Sequence, residues 1–314
     1  MKQKDTKLLY QIAELYYEEG YTQEKIAQLV NFSRQKVQRL LKEGIEEGIV
    51  QINLFNPSAS FEKLEKKLEQ KYDLLKVLVV PAGIQSDEII SKNIGKAAAG
   101  YLESILHDND IVGIGWGSSV YETINHFNPH RKIQITAIPL IGGMGYIPAD
   151  FQVNELIRKF AEKSGGSYIP LYAPALLDNE KIVKQLFTDN NVKKINEFWN
   201  IINIAVVGIG KAILKGSIVP DIYYNDLPLH SIMENEKVAG DILLHFFHND
   251  GSLFSSVFDK RIIGMSIDQL KKVKRVIGVA GSLWKKDIIL ATLKGKYINI
   301  LVTDDITATA LSKG

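Results

Sequence analysis

The 314-residue sequence contains no cysteine. Disulfides, thiolate zinc sites, iron–sulfur clusters and a cysteine nucleophile are therefore excluded. No apolar run approaches the roughly 18 residues of a membrane helix. The opening Met1-Lys2-Gln3-Lys4-Asp5 lacks the apolar segment of a secretory signal. The expected location is cytoplasmic, with no membrane partner. Excess charge of one sign is missing as well: Lys and Arg total 38 against 36 Asp and Glu, a net charge of +2. Any nucleic-acid contact must then come from a local basic patch. What the chain does have is core material, with 46% hydrophobic and 24% charged residues. Its length fits about two domains.

Three textures divide the chain. Residues 1 to about 56 read as short amphipathic helices followed by a strand-like run. Asn56-Pro57-Ser58 breaks this region from the next. Residues 58–72 are strongly charged, with Phe61, Leu64, Leu68 and Tyr72 at helical spacing. That narrow stripe is expected on a linker helix, as a pairing surface for a second copy or as a face packed on its own chain. From Val77 onward short apolar runs alternate with helical patterns. The runs begin at Val77, Ile111, Ile135, Ile204, Val276 and Ile298. None alternates with polar residues, as suits strands buried on both faces of a parallel sheet. The expectation is an α/β fold: residues 1–56 as a small helical domain and residues 57–314 as a larger domain with a mostly parallel sheet.

The first region carries a helix-turn-helix pattern. Leu8, Leu9, Ile12, Ala13, Leu15 and Tyr16 stripe a first helix that Gly20 ends. Thr22 is placed to cap a second helix containing Ile26, Ala27 and Val30. Ser33 is placed to cap a third, running to about Lys42, with Val37, Leu40 and Leu41 inward. Only Asn31 and Phe32 separate the two, and Asn accepts the left-handed backbone of a tight turn. Ala27 is small enough to let the helices cross closely. The outer face of the third helix holds Arg34, Gln35, Lys36, Gln38, Arg39 and Lys42, with no acid on that helix before Glu43. Arg pairs with guanine, Gln with adenine, and Lys with phosphate. Ile49–Leu54 is expected as a strand forming a wing. With Gln23 and Ser33 added, the expected DNA contacts are Gln23, Ser33, Arg34, Gln35, Lys36, Gln38 and Arg39.

The second region has four glycine turns, each after an expected strand. They are Gly115-Trp116-Gly117-Ser118-Ser119, Gly142-Gly143-Met144-Gly145, Gly208-Ile209-Gly210-Lys211 and Ala280-Gly281-Ser282, the last leading to Lys285. In an open parallel sheet such loops gather on one rim, where ligands bind. A strand, a glycine turn and a helix start also make an anion site. The motif lacks the Gly-Lys-Ser/Thr of a nucleotide loop and the spacing of a dinucleotide fingerprint, so neither a cofactor nor a metal is expected. Asp241 can accept from sugar hydroxyls or can equally cap a following helix. Lys285 can anchor a phosphate or can equally be a solvated surface lysine.

Leu15 to Ala27, Ser33-Arg34, Arg39 to Glu43 and Glu47 to Val50 resemble the SorC family of bacterial sugar-responsive transcription regulators. Gly115 to Ser119, Gly142-Gly143, Gly240-Asp241, Ala280-Gly281 with Lys285, and Leu301 to Asp305 extend the resemblance over nearly the whole chain. It runs close to the deoxyribonucleoside-operon regulator branch. The resemblance implies a sugar-phosphate-isomerase-like effector domain that binds a phosphorylated sugar or sugar alcohol and thereby modulates operator binding. It implies phosphate contacts from Gly117, Ser118, Ser119 and Lys285, and sugar contacts from Asp241 and Asn154. Gly115, Gly142, Gly143, Gly210 and Gly281 complete the expected effector set. Four departures stand out. Ser118 and Ser119 replace the threonines often found there, and Ser282 a glycine. Gln35 and Lys36 replace Pro and Thr, which implies a different operator. Ile141 stands where some relatives carry a lysine and cannot itself form a Schiff base, which argues for reversible, non-covalent effector binding. The expected protein is a homo-oligomer, dimer or tetramer, and not an enzyme. The competing expectation is a sugar-phosphate isomerase with Asp241 as base and Lys285 as phosphate anchor.

Overall fold

The computed structural model describes residues 3–50, 60–83, 86–145, 147–210, 238–255 and 259–313. The chain divides into two compact units, Met1–Ala59 and Ser60–Gly314. The first contains helices α1 (Gln3–Tyr17), α2 (Gln23–Leu29) and α3 (Arg34–Glu46). Leu9, Ile12, Ile26, Ala27, Val37, Leu40 and Leu41 form its core. Thr22 Oγ1 accepts the Lys25 N–H and Ser33 Oγ the Lys36 N–H, both at 3.2 Å. Each hydroxyl satisfies a donor that the first helical turn leaves without a partner. Asn31 has φ +54°, the left-handed conformation expected of the tight turn. Helix α3 runs a turn beyond Lys42, because Gly44 stays helical and the left-handed residue comes only at Gly48, φ +73°. The Val50 N–H bonds the Gly44 carbonyl at 3.0 Å. Residues 51–54 of the expected wing, like Asn56-Pro57-Ser58, lie outside the described residues.

The second unit is built on a seven-stranded parallel sheet, in the order β1-β9-β8-β5-β2-β3-β4. Its strands are β1 (Lys76–Val80), β2 (Ile111–Ile114), β3 (Thr136–Pro139), β4 (Ser167–Tyr168), β5 (Ile204–Gly208), β8 (Arg275–Val279) and β9 (Ile300–Asp304). Strand β5 shows why these runs carry no polar alternation. Ile204 and Val206 point into one hydrophobic core, Ala205 and Val207 into the other. Both faces are covered, so both parities are apolar. Helices α5 (Asp87–Ile105), α6 (Ser118–His126) and α7 (Val153–Ser164) contribute to one core.

The charged segment forms α4 (Glu62–Tyr72). Its stripe belongs to the second unit: Leu68 is fully buried in the core that Phe61, Leu64 and Tyr72 pack against. The Tyr72 hydroxyl donates to the Leu311 carbonyl at 2.8 Å. The stripe thus takes its second expected role, packing on its own chain, and is not left open as a pairing surface. The same helix covers a sheet margin. Glu69 Oε1 accepts the Val77 N–H and Glu65 Oε1 the Val79 N–H, both at 2.9 Å. An edge strand's free donors invite pairing with another chain, and here two carboxylates occupy them.

One segment departs from expectation. Val238-Ala239-Gly240-Asp241 does not lead into a helix. It is strand β6 (Val238–Ile242), paired antiparallel with β7 (His245–His248). Leu243 and Leu244 turn the chain with φ of +54° and +66°. Asp241 is therefore not an N-cap; its Oδ2 accepts the Leu244 N–H at 3.1 Å and holds that turn.

Candidate functional site

The rim is organised by where the sheet reverses its winding. From β2 the chain proceeds outward to β3 and β4. It then returns to β5 on the other side of β2 and continues to β8 and β9. Ligands of open α/β sheets bind at the carboxyl ends of strands flanking such a switch. Here those ends carry Gly115–Ser119 and Gly208–Gly210.

The β2 end is drawn in tightly. The Gly115 N–H bonds the Val206 carbonyl at 2.8 Å, and a Cβ at Gly115 would stand 3.1 Å from both that oxygen and Leu243 Cδ2. Gly117 has φ +118°, which side-chain-bearing residues rarely adopt, and it reverses the chain into α6. Ser118 is exposed and Ser119 is buried at the start of α6. Ser119 Oγ lies 3.5 Å from Ser91 Oγ on α5. The first N–H groups of α6 have no intrahelical partner, so an anion near them meets donors and the positive end of the helix dipole.

Across the switch, Gly210 and Asp241 exchange backbone hydrogen bonds at 3.2 and 2.9 Å, stitching the β5 end to the β6–β7 hairpin. A Cβ on Gly210 would lie 3.2 Å from Asp241 Oδ1, a tight approach that places the two residues side by side. Asp241 is 7% exposed. Burial pushes its carboxyl up to about 7, against the opposing pull of the Leu244 N–H, His245 and Lys285. Such a carboxyl offers both a donor and acceptors near neutrality.

Lys285 is not a free surface lysine. It is half-buried, and its Nζ donates to the Ile209 carbonyl at 3.3 Å. Burial lowers its pKa, while Asp87 and Asp241 oppose that shift. The rim thus brings together Gly117, Ser118, Ser119, Gly210, Asp241 and Lys285 around the β2 and β5 ends.

The other expected effector residues are engaged by the protein itself. The Gly142 N–H bonds the Ile263 carbonyl at 2.9 Å and the Gly143 N–H the Ala173 carbonyl at 2.8 Å. A Cβ on Gly142 would fall 2.6 Å from Pro174 backbone atoms, so close chain packing accounts for that glycine. Asn154 spends its amide on one backbone, donating to the Leu171 carbonyl at 3.0 Å and accepting the Leu171 N–H at 3.1 Å. Gly281 is pressed against Asp304, whose Oδ2 would lie 2.7 Å from a Cβ there. Ile141 is fully buried and bridged to Gly264. Lys211 lies outside the described residues.

Three residues given no site role from sequence shape the same rim. Asp87 starts α5 and accepts the Trp284 indole N–H at 3.0 Å. Asp304 is fully buried at the end of β9 and accepts the Ser282 N–H at 2.7 Å. The run Thr303-Asp304-Asp305 at a strand end was the available signal for Asp304. Asp87 and Trp284 are far apart in sequence and carried none.

On α3, Arg34, Gln35, Gln38 and Arg39 are exposed. Lys36 is half-buried, its Nζ 3.4 Å from the Phe32 ring centroid. Ser33 turns its hydroxyl to the cap, and Gln23 is half-buried at the start of α2. The acid-free face expected of α3 meets an acid from elsewhere: Arg34 Nε lies 2.8 Å from Glu24 Oε1 on α2.

Known proteins share this architecture. The family model "Putative sugar-binding domain" matches residues 57–312. The chain is 31% identical over 313 residues to the deoxyribonucleoside regulator of Bacillus subtilis (strain 168), covering 99% of each protein. It is also 31% identical over 313 residues to the sorbitol operon regulator of Klebsiella pneumoniae, covering 98% of each. The crystal structure of full-length SorC from Klebsiella pneumoniae superposes with a TM-score of 0.75 at 31% identity, over 99% of this chain and all of that one. Among the described residues, no helix is long and apolar enough to cross a membrane.

Proposed function

The chain belongs to the SorC family of sugar-binding bacterial transcription regulators, and from that membership we propose how its two units divide the work. It is a DNA-binding transcription regulator, not a sugar-phosphate isomerase. Residues 1–56 read operator DNA through α3, and residues 57–314 bind the effector. Gln35, Gln38 and Arg39 face base edges, and Lys36 neutralises phosphate. Helix-turn-helix proteins commonly read two half-sites about one DNA turn apart, so the working species is a homo-oligomer, dimer or tetramer.

The effector is a phosphorylated sugar or sugar alcohol, bound non-covalently at the β2–β5 switch. One observation carries this reading: the start of α6, the Lys285 ammonium and the buried Asp241 carboxyl meet at the same strand ends. The first two suit a phosphate. The third suits hydroxyls. Ile141 offers no amine at its own position, which supports reversible, non-covalent binding. Binding at this rim shifts operator affinity through two states of the protein, with a coupling typically of 1–3 kcal/mol.

The test is an operator gel shift with and without a panel of sugar phosphates and alditol phosphates, run beside calorimetry on the same ligands. A ligand that binds and changes the shift supports the reading. Equal affinity for a sugar and its phosphate would overturn it.

A further inference from the structure

Of the sequence's three tryptophans, Trp199 is buried and donates its indole N–H to the Pro139 carbonyl at 2.8 Å. Trp116 lies in the β2–α6 turn, partly packed on the core. Trp284 is different. It is 46% exposed in the short 3-10 turn Leu283–Lys285 after β8. A tryptophan half in water adds modestly to a core. Yet this one is held: Asp87 Oδ2 accepts its indole N–H at 3.0 Å. Lys285 Nζ sits 5.2 Å from its ring centroid. The ring is thus fixed at its polar edge, carries the rim's ammonium beside it and keeps apolar surface in solvent.

We propose that Trp284 reads the sugar itself, its ring stacking on the C–H face of a closed-ring sugar phosphate whose phosphate lies toward Lys285 and the start of α6. This rests on the sugar-phosphate reading above and narrows its ligand class. A closed sugar ring has a polar circumference and an apolar C–H face. The circumference finds partners in Asp241 and the backbone donors of the rim. The apolar face needs a flat hydrophobic surface, which an aromatic ring held by its N–H provides. An open-chain polyol presents no such face. Asp87 is a positioning residue: it touches the indole and sets its plane.

The test uses the full-length chain, calorimetry and tryptophan fluorescence. The probes are inorganic phosphate, glucose 6-phosphate, fructose 6-phosphate and ribose 5-phosphate, with open-chain sorbitol 6-phosphate and ribitol 5-phosphate as counterparts. At least one closed-ring ligand should bind tighter than every open-chain one. Trp284→Ala should weaken that ligand by about tenfold, or about 1.4 kcal/mol. Its affinity for inorganic phosphate should stay unchanged. Trp284→Phe keeps a flat ring without the indole N–H and should restore most of the affinity. It should also abolish the part of the ligand-induced emission change that Trp116 does not give. Asp87→Asn should fall between. Unchanged sugar-phosphate affinity in Trp284→Ala, or an open-chain ligand as the tightest binder, overturns the stacking proposal and leaves the phosphate site standing. If neither inorganic phosphate nor any sugar phosphate binds the unaltered chain, the phosphate reading fails and takes this proposal with it.

Discussion

Asp304 holds Ser282 in place: its Oδ2 accepts the Ser282 N–H at 2.7 Å, at a residue whose φ is +81°. The same carboxylate accepts the Thr307 N–H at 2.9 Å and the Thr307 hydroxyl at 2.7 Å. One buried acid therefore orders the turn that presents Trp284 and Lys285. A side chain at positive φ is strained by about 1–3 kcal/mol. Ser282→Gly removes that strain but adds freedom to the unfolded chain. We expect a net stabilisation of up to about 1 kcal/mol, read as a higher urea midpoint with unchanged slope. Asp304→Ala leaves three donors without their acceptor and should cost more than about 3 kcal/mol.

The capping hydroxyls of the first unit give a second expectation. Thr22→Ala and Ser33→Ala should each lower its stability by about 1 kcal/mol. Asn31→Gly should be nearly neutral. Asn31→Val should cost more than either cap, because a β-branched residue resists φ of +54°. Thermal unfolding of the four variants orders them.

Operator binding should separate the faces of α3. Replacing Arg34, Gln35, Lys36, Gln38 and Arg39 together by Ala should abolish specific binding. Single loss of a base contact should cost about 1–3 kcal/mol at one operator position. Loss of a phosphate contact should weaken all sequences alike and flatten the salt dependence. Glu24→Gln releases Arg34 from its ion pair and should change the salt slope, measured by fluorescence anisotropy.

Lys285→Ala should weaken a sugar phosphate much more than the unphosphorylated sugar, because the lost bond is charge-assisted. Asp241→Asn should alter the order of preference among sugars. Both variants should keep operator affinity in the absence of effector. Matched calorimetric titrations and gel shifts check the pair.

The Asp241 carboxyl also sets a pH dependence. Its folded pKa, about 7, lies above the ordinary carboxyl value of 3.8. The folded state then favours the protonated form. That contribution is complete below the unfolded pKa and is lost as pH rises through about 7. Wild type should therefore lose stability from about pH 4 to 7 relative to Asp241→Asn, which does not titrate. Urea midpoints of the two proteins across that range give the difference. Parallel curves would show that the carboxyl is not buried in this way.

The legible parts of the molecule were those written in local chemistry. Thr22, Asn31 and Ser33 announce their caps and turn within a few residues. The apolar runs announce strands because each is covered on both faces. The β6–β7 hairpin stayed hidden because its turn uses Leu243 and Leu244 at positive φ, where sequence reasoning looks for Gly or Asn. Strand β4 has only two residues and no periodicity to show. At the rim, the close approach of Pro174 backbone to Gly142 is not visible in sequence, since a packing glycine and a donor glycine are spelled alike. Asn154 gives no sign in sequence that its amide serves Leu171, a partner that only the fold supplies. The Asp87–Trp284 and Asp304–Ser282 pairs join distant segments, and no spacing encodes them.

Strand β1 pairs with β9 at the sheet margin, in a register that matches Lys76 with Ile300. On the ribosome, therefore, β1 emerges long before its neighbour exists. Its outer edge is met at once by Glu65 and Glu69 of α4, which is made just ahead of it, and stays covered after β9 arrives. The nascent chain thus has one edge of β1 closed from the start, and only the other waits for β9. The price of the topology is timing: the effector rim, which needs β8 and β9 in place, is assembled only at the close of synthesis.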